Sequence, residues 1–332
     1  MRKSVYAIDI GSSNVKIYRS GEGVVLSEPS VVAVSSGEKR VVKAVGLDAK
    51  KIIGKTAENT FIVCPIAEGG VTNERMAVEM LSAFLKKVQG GDRISSAYVS
   101  VPCGIGEVDL YKLGMVLKGA GVQKYTFVQN PVCAALGMNV PLNEYTPCFL
   151  VDMGGSVTNV AALSLDGIIA GLSLSLGGSN IDAQLIDYVA SEYRLKIGLL
   201  TAERLKQQIG SLIPGDRTTT VVNGRSVDTG RPCSISLNSQ DVLEPMRLYF
   251  DRMAEVIHMV LSKLPAEVSA EIRHAGIMIC GGTSKVAGAA DYLAEKLEMD
   301  VVSGDNPELA AVVGAGIIAG DKELAKQIKL SF

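Results

Sequence analysis

The stretch "AIDIGSSNVKI" at residues 7–17 returns 143 positions later as "LVDMGGSVTNV" at residues 150–160. Both run from an apolar lead-in to an aspartate, an apolar residue, a glycine and small residues, then leave through a second apolar run. Alone, each copy reads as a hairpin with a capping aspartate, because D-x-G-x-S is a common pattern. Two copies, each opening an α/β segment, constrain the chain far more. They predict a duplicated fold whose halves present like turns to one cleft. No charged partner is evident for Asp9.

The 332 residues suffice for two ordinary domains or one bilobed unit. A 47% hydrophobic content with 5% aromatics and no Trp predicts an aliphatic core. With 33 Lys+Arg against 35 Asp+Glu, the balance offers nucleic acid no electrostatic footprint. Six cysteines without a CxxC, and only His258 and His274, read as small buried hydrophobes in a reducing, cytoplasmic compartment rather than as disulfides or a metal site. The apolar run "LAAVVGAGIIAG" (309–320) falls short of the ~20 residues of a spanning helix. No h-region of a signal peptide opens the chain.

Strands are expected in "SVYAIDI", "VKIY", "GVVLSEPSVVAVSS" and "KRVVKAVG", then a helix in "NERMAVEMLSAFLKKV" with Met76, Met80, Leu81, Phe84, Leu85 and Val88 on its buried face. Further helices are expected over about 107–119, from about Pro131, over about 181–193 and from about Thr201. Asn223-Gly224 reads as a two-residue hairpin turn. One long helical segment is expected over about 240–264, then the buried strand "AGIMICGG", and helices over about 285–297 and 307–319. "GAGIIA" (314–319) matches the dinucleotide fingerprint, yet it has no βαβ unit and no acidic residue after it, and reads as a glycine-rich packed helix.

Turns of glycine and small residues let backbone N–H groups approach phosphate oxygens, and two facing turns can clasp a phosphate chain. Asp9 and Asp152, just before the turns, suit the water shell of Mg²⁺. Ser12, Ser13 and Thr158 can donate hydroxyls, and Lys16 can add a point charge. The glycine turn "CGGTSKVAG" (280–288) could lie against a nucleoside, or could be a tightly packed strand-to-helix turn.

Laid in order, these segments resemble the actin / heat-shock-chaperone / sugar-kinase ATPase superfamily, and within it the MreB-type bacterial actins. The likeness runs through "IDIGSSNVK", "VLSEPSVVAV", "VGLDAKKIIGKT", "PIAEGGV", "VSVPCGIGEV", "VQNPVCAALG", "VDMGGSVTNVAALS", "LGGSNIDAQLIDYV", "TAERLKQQIGS" and "GIMICGGTSKVAG". It implies an α/β, bilobed, duplicated fold of four subdomains around a nucleotide cleft. Lobe I would span 1–145, with core 1–30 and 70–145 and a small subdomain near 31–69. Lobe II would span 146–315, with core 146–180 and 250–315 and a small subdomain near 181–249, and 316–332 would return to lobe I. The implied cofactors are ATP or ADP with Mg²⁺. Gly11, Ser12, Ser13, Asn14 and Lys16 would serve the first phosphate loop, and Gly154, Gly155, Ser156 and Thr158 the second. Gly178, Glu203, Lys206, Gly281, Gly282 and Thr283 would meet the nucleoside side, with Asp9 and Asp152 holding Mg²⁺ through water. Without the family, Glu203 and Lys206 read as an i,i+3 surface pair.

The chain departs from the family where hydrolysis is concerned. Asn130 stands where relatives place a water-orienting carboxylate, and Val157 and Asn159 replace a threonine and an acid of the second loop. An amide holds water but is no general base, so slow or absent hydrolysis is expected. The implied role is a filament-forming cytoskeletal protein of cell shape and wall synthesis. Its implied partners are itself, the inner membrane surface and wall-synthesis proteins, with no nucleic acid. The loop "QGGDRISSA" (89–97) is expected to expose only Ile94, too little to anchor a monomer. A non-polymerising, nucleotide-gated or chaperone-like module of the same fold is the alternative, and a small-molecule kinase is disfavoured because no carboxylate is left over as a base.

Overall fold

The computed structural model describes residues 3–37, 40–55, 59–90, 93–140, 146–164 and 167–328. Two five-stranded mixed sheets carry it, and each is built around the strand that bears an aspartate. In the first, Lys3–Ile10 lies between its hairpin partner Asn14–Arg19, which is antiparallel, and Arg93–Val101, which is parallel. Gly23–Pro29 and Tyr125–Gln129 form the two edges. In the second, Cys148–Met153 takes the same place, with Thr158–Ser164 antiparallel and Ile277–Cys280 parallel, and Gly167–Leu174 and Val301–Ser303 as edges. Strand order and direction match from sheet to sheet, so the repeated sequence is a repeated topology. Each half also carries a three-stranded sheet: Val42–Val45, Val32–Ser35 and Thr60–Val63 in the first, and Leu195–Lys196, Thr219–Ser226 and Pro232–Asn238 in the second.

Period-3.6 patterning explains the helices that cover the sheets. Glu74–Gln89 buries Met76, Met80, Leu81, Phe84 and Leu85 with Tyr6, Ile8 and Ile17 of the first sheet, and Asn73 caps it by accepting the Met76 N–H at 3.1 Å. The second core gathers Phe149, Val151, Tyr249, Phe250 and Ile257. Between the sheets, helices Asn130–Gly137 and Ala310–Gly320 cross at backbone contact. A Cβ on Gly137 would stand 1.9 Å from the Ala310 carbonyl oxygen, and one on Gly314 would stand 1.7 Å from that of Cys133. Of the glycines of "GAGIIA", Gly314 therefore serves this helix contact, and Gly316 makes room for the Tyr18 ring of the first sheet, so both are packing residues, as their sequence context indicates. The same helix lays Ala311, Ala315 and Ile318 against Ala7 of the first sheet.

Three local expectations need correction. Asn223-Gly224 lies inside the strand Thr219–Ser226, paired with Ser234 and Cys233, and the chain reverses over 227–231 instead, where Gly230 takes φ 68°. Gly224 is small because Leu195 and Lys196 pack over it, so sheet pairing overrides the local turn preference. The helical segment expected over about 240–264 is a 3₁₀ turn, Ser239–Val242, running into helix Leu243–Leu261, but a further helix that was not expected, Ala266–Ala275, follows it. Pro265, with extended ψ 150°, separates the two helices. Ile94 belongs to the strand Arg93–Val101 opposite Ser4 and packs half-buried on the first core, rather than standing on an exposed loop. Gly91 and Asp92 of that loop lie outside the described residues.

Candidate nucleotide cleft

Two hairpin turns meet where the halves face each other. In each, a glycine N–H closes on a carbonyl three residues on: Gly11 to Asn14 at 3.1 Å and Gly154 to Val157 at 2.9 Å. A side chain would break either turn, because a Cβ would come within 2.8 Å of the Asn14 oxygen and 2.6 Å of the Val157 oxygen. The turns approach so closely that a Cβ on Gly155 would lie 1.9 Å from Ser13 Oγ. Further links cross between the halves: Asn159 Oδ1 accepts the Cys103 N–H at 3.0 Å, and Ser156 Oγ accepts the Glu68 N–H at 3.3 Å. Behind the second turn, Thr283 donates its hydroxyl to the Gly154 carbonyl at 2.8 Å, and Gly281, at φ 85°, leaves room for the Met153 carbonyl and Asp152.

The cleft between the turns has a volume of about 800 Å³. It is lined by Asp9, Gly11, Ser12, Ser13, Asn14, Lys16, Asn130, Asp152, Gly154, Gly155, Gly178, Glu203, Lys206, Gly281, Gly282 and Thr283. Two expected residues are absent from that lining. Thr158 is fully buried and donates its hydroxyl to the Leu176 carbonyl at 2.6 Å, and Ser156 turns to Glu68. The strand register explains Thr158, which pairs with Met153 and Leu174 inside the second sheet.

Charge on the cleft floor corrects the reading of Asp9 as unpaired. Lys16 sits opposite Asp9 in the hairpin register, and its Nζ reaches Asp9 Oδ2 at 2.9 Å, both side chains being 15% exposed. Burial alone draws the Lys16 ammonium down, but the charge and hydrogen bond of Asp9 hold it above its ordinary value. Asp152 is pushed up, first by burial and then by the Asp9 charge, against the opposing pull of Lys16, Asn130 and Cys280. Asn130 heads its helix just before Pro131; its amide donates to Ser100 Oγ at 3.4 Å, while its own buried Oδ1 has no partner in the protein. That acceptor fits a water held in the cleft.

Glu203 and Lys206 are not a surface pair with each other. Lys206 holds Asp182 at 2.8 Å and the Gly178 carbonyl at 2.8 Å, whereas Glu203 pairs with Lys50 of the first half at 2.7 Å. Asp182 and Lys50 were missed by sequence reasoning. Asp182 follows Lys206 only through helix packing, and nothing local marks Lys50. Among the described residues, no group of three or more His, Cys, Asp or Glu could hold a metal ion by itself. The donor set of Asp9 and Asp152 therefore suits a hydrated cation that takes its other oxygens from a ligand.

The profile of the MreB/Mbl protein family matches residues 3–327. The cell shape-determining protein MreB of Escherichia coli K12 is 33% identical over 317 residues, which cover 93% of this chain and 91% of that protein. Among solved structures, MreB5 of Spiroplasma citri bound to AMPPNP superposes with a TM-score of 0.92 at 24% identity, covering 99% and 98% of the two chains. A MamK double helical filament superposes at 0.79 with 20% identity, covering 96% and 99%. The match over nearly the full length, with the duplicated sheets and facing turns, shows that the chain belongs to the MreB/Mbl family and has the actin-like ATPase fold.

Proposed function

We propose that the chain binds ATP or ADP with Mg²⁺ in the cleft, and in that state assembles into filaments as a cytoskeletal protein of cell shape and wall synthesis. The observation that carries this reading is the contact of Gly155 with Ser13, which sets two glycine turns against each other over one cavity. Support also comes from relatives: MreB5 has been solved with AMPPNP and with ADP, and MamK as a filament. In this reading residues 1–145 and 146–315 act as the two jaws. Ser12, Ser13, Gly154, Gly155 and Lys16 take the phosphates, and Gly178, Glu203, Lys206, Gly281, Gly282 and Thr283 take the nucleoside. Asp9 and Asp152 hold Mg²⁺ through water, and the ion neutralises phosphate charge. Asn130 can orient a water with its free Oδ1 but cannot take its proton, which makes hydrolysis slow.

Calorimetry with ADP and Mg²⁺ tests binding, and single-turnover ATP hydrolysis tests the role of Asn130. Binding is expected, with hydrolysis about 10²-fold or more slower than in a carboxylate-bearing relative, the factor a general base commonly supplies. Equal rates would remove the slow-hydrolysis reading, and no heat with ADP would remove the whole. Electron microscopy with ATP distinguishes a filament from a non-polymerising module. Contact with a membrane gains nothing from Ile94, which is packed in a strand. Among the described residues, no helix is long and apolar enough to cross a membrane.

A further inference from the structure

The mouth of the cleft is crossed by a contact that neither phosphate turn requires. Lys50 lies in the short helix Leu47–Lys51 of the first half, whose start is held by Glu28 accepting the Leu47 N–H at 2.8 Å. From there the Lys50 Nζ reaches both oxygens of Glu203, at 2.7 and 2.8 Å, in helix Leu199–Ile209 of the second half. Glu203 lines the cleft, and Lys50 does not. Beyond Glu203, Lys206 holds Asp182, so charges alternate along the mouth: Lys50, Glu203, Lys206, Asp182. The first pair is 35% and 27% exposed, so water can compete for it and the contact can open. A carboxylate gripped by one ammonium keeps lone pairs for further donors, such as sugar hydroxyls.

We infer that Lys50 is a positioning residue: by pairing with Glu203 it aims that carboxylate at the sugar end of the cleft and ties the two halves together, which slows nucleotide release. This role presupposes the nucleotide proposed above. Because Lys50 aims Glu203 as well as tying the halves, part of its effect depends on a ribose hydroxyl being present. It also depends on salt, since at about 1 M the screening length shrinks to ~3 Å.

The test uses the full chain and K50A, K50E and K50R variants. Release of a fluorescent ADP analogue is timed against excess unlabelled ADP, and again with the 2′-deoxy form. K50A is expected to speed ADP release about two- to fivefold, the range a half-exposed ion pair supports. K50E is expected to exceed that, K50R to match the wild type, and the deoxy analogue to show a smaller change. The native Cys64 and Cys233 are exposed, one in each half, and spin labels on them report the distance between the halves without nucleotide. That distance is expected to lengthen in K50E. Unchanged release in K50E, equal acceleration for ADP and its deoxy analogue, or an unchanged label distance overturns the inference while leaving nucleotide binding intact. Failure of the wild type to bind ADP overturns both.

Discussion

The two aspartate hairpins share one backbone and differ in how they treat charge. Asp9 faces Lys16 across its hairpin, and Asp152 faces Asn159 at the same place in the other. Both turns close through the same glycine hydrogen bond and reject a side chain for the same reason. In the first hairpin the cross-strand residue is a lysine that neutralises the carboxylate at 2.9 Å. In the second it is an amide that ignores the carboxylate and instead accepts the Cys103 N–H from the other half at 3.0 Å. Asp152 is thus left half-buried, with its carboxyl pushed up by burial and by Asp9. Duplication has kept the cradle and divided the polar work. One hairpin balances charge, and the other straps the halves together.

The largest effect should come from the point where the hairpins touch. Gly155→Ala drives a methyl into Ser13 Oγ, and overpacking of about 1–3 kcal/mol would weaken ADP binding by about 5- to 150-fold, measured by calorimetry. Adding Ser13→Gly removes the obstacle, so the double variant should bind more tightly than Gly155→Ala alone and about as well as Ser13→Gly alone; if it binds no better than Gly155→Ala, the turns are not opposed jaws. A smaller effect isolates the strap. Asn159→Leu strands the Cys103 N–H and should cost about 1–3 kcal/mol in urea unfolding, whereas Asn159→Asp keeps an acceptor there and should cost less. If both variants unfold alike, the strap contributes nothing.

The smallest effect sharpens the charge-balancing side. Because the folded state holds the Lys16 proton more tightly than the ordinary value of 10.5, the pair stabilises fully below that pH and loses its contribution as pH rises through the raised value. Melting temperature of the wild type should therefore fall steeply above about pH 10.5, while Lys16→Met starts lower at neutral pH and falls less across that window. Parallel pH profiles for the two proteins would show that the Asp9–Lys16 pair carries no stability.

Much of the cleft was legible because glycine turns announce themselves locally. Gly11 and Gly154 are demanded by atoms three residues away, and any sequence window contains them. The Asp9–Lys16 pair was missed, although counting the hairpin register out from the turn sets Lys16 opposite Asp9. Thr158 lies away from the cleft because its register pairs it with Met153 and Leu174 inside the second sheet, where its hydroxyl donates to the Leu176 carbonyl just past the next strand. Asn223-Gly224 was misjudged because a turn preference worth little by itself yields to a strand paired on both sides. Lys50 could not be found at all, since its partner lies 153 positions away.

From sequence alone, the chain had to form two like hairpins, aliphatic sheets and a glycine-packed helix near its end. Backbone sterics and apolar periodicity act over a few residues and leave little choice there. Only tertiary structure decided which polar side chains face the cleft, which pair with each other, and which reach across from one half to the other. Those outcomes depend on where distant segments come to rest, because hydrogen bonds and ion pairs are made only at contact distance.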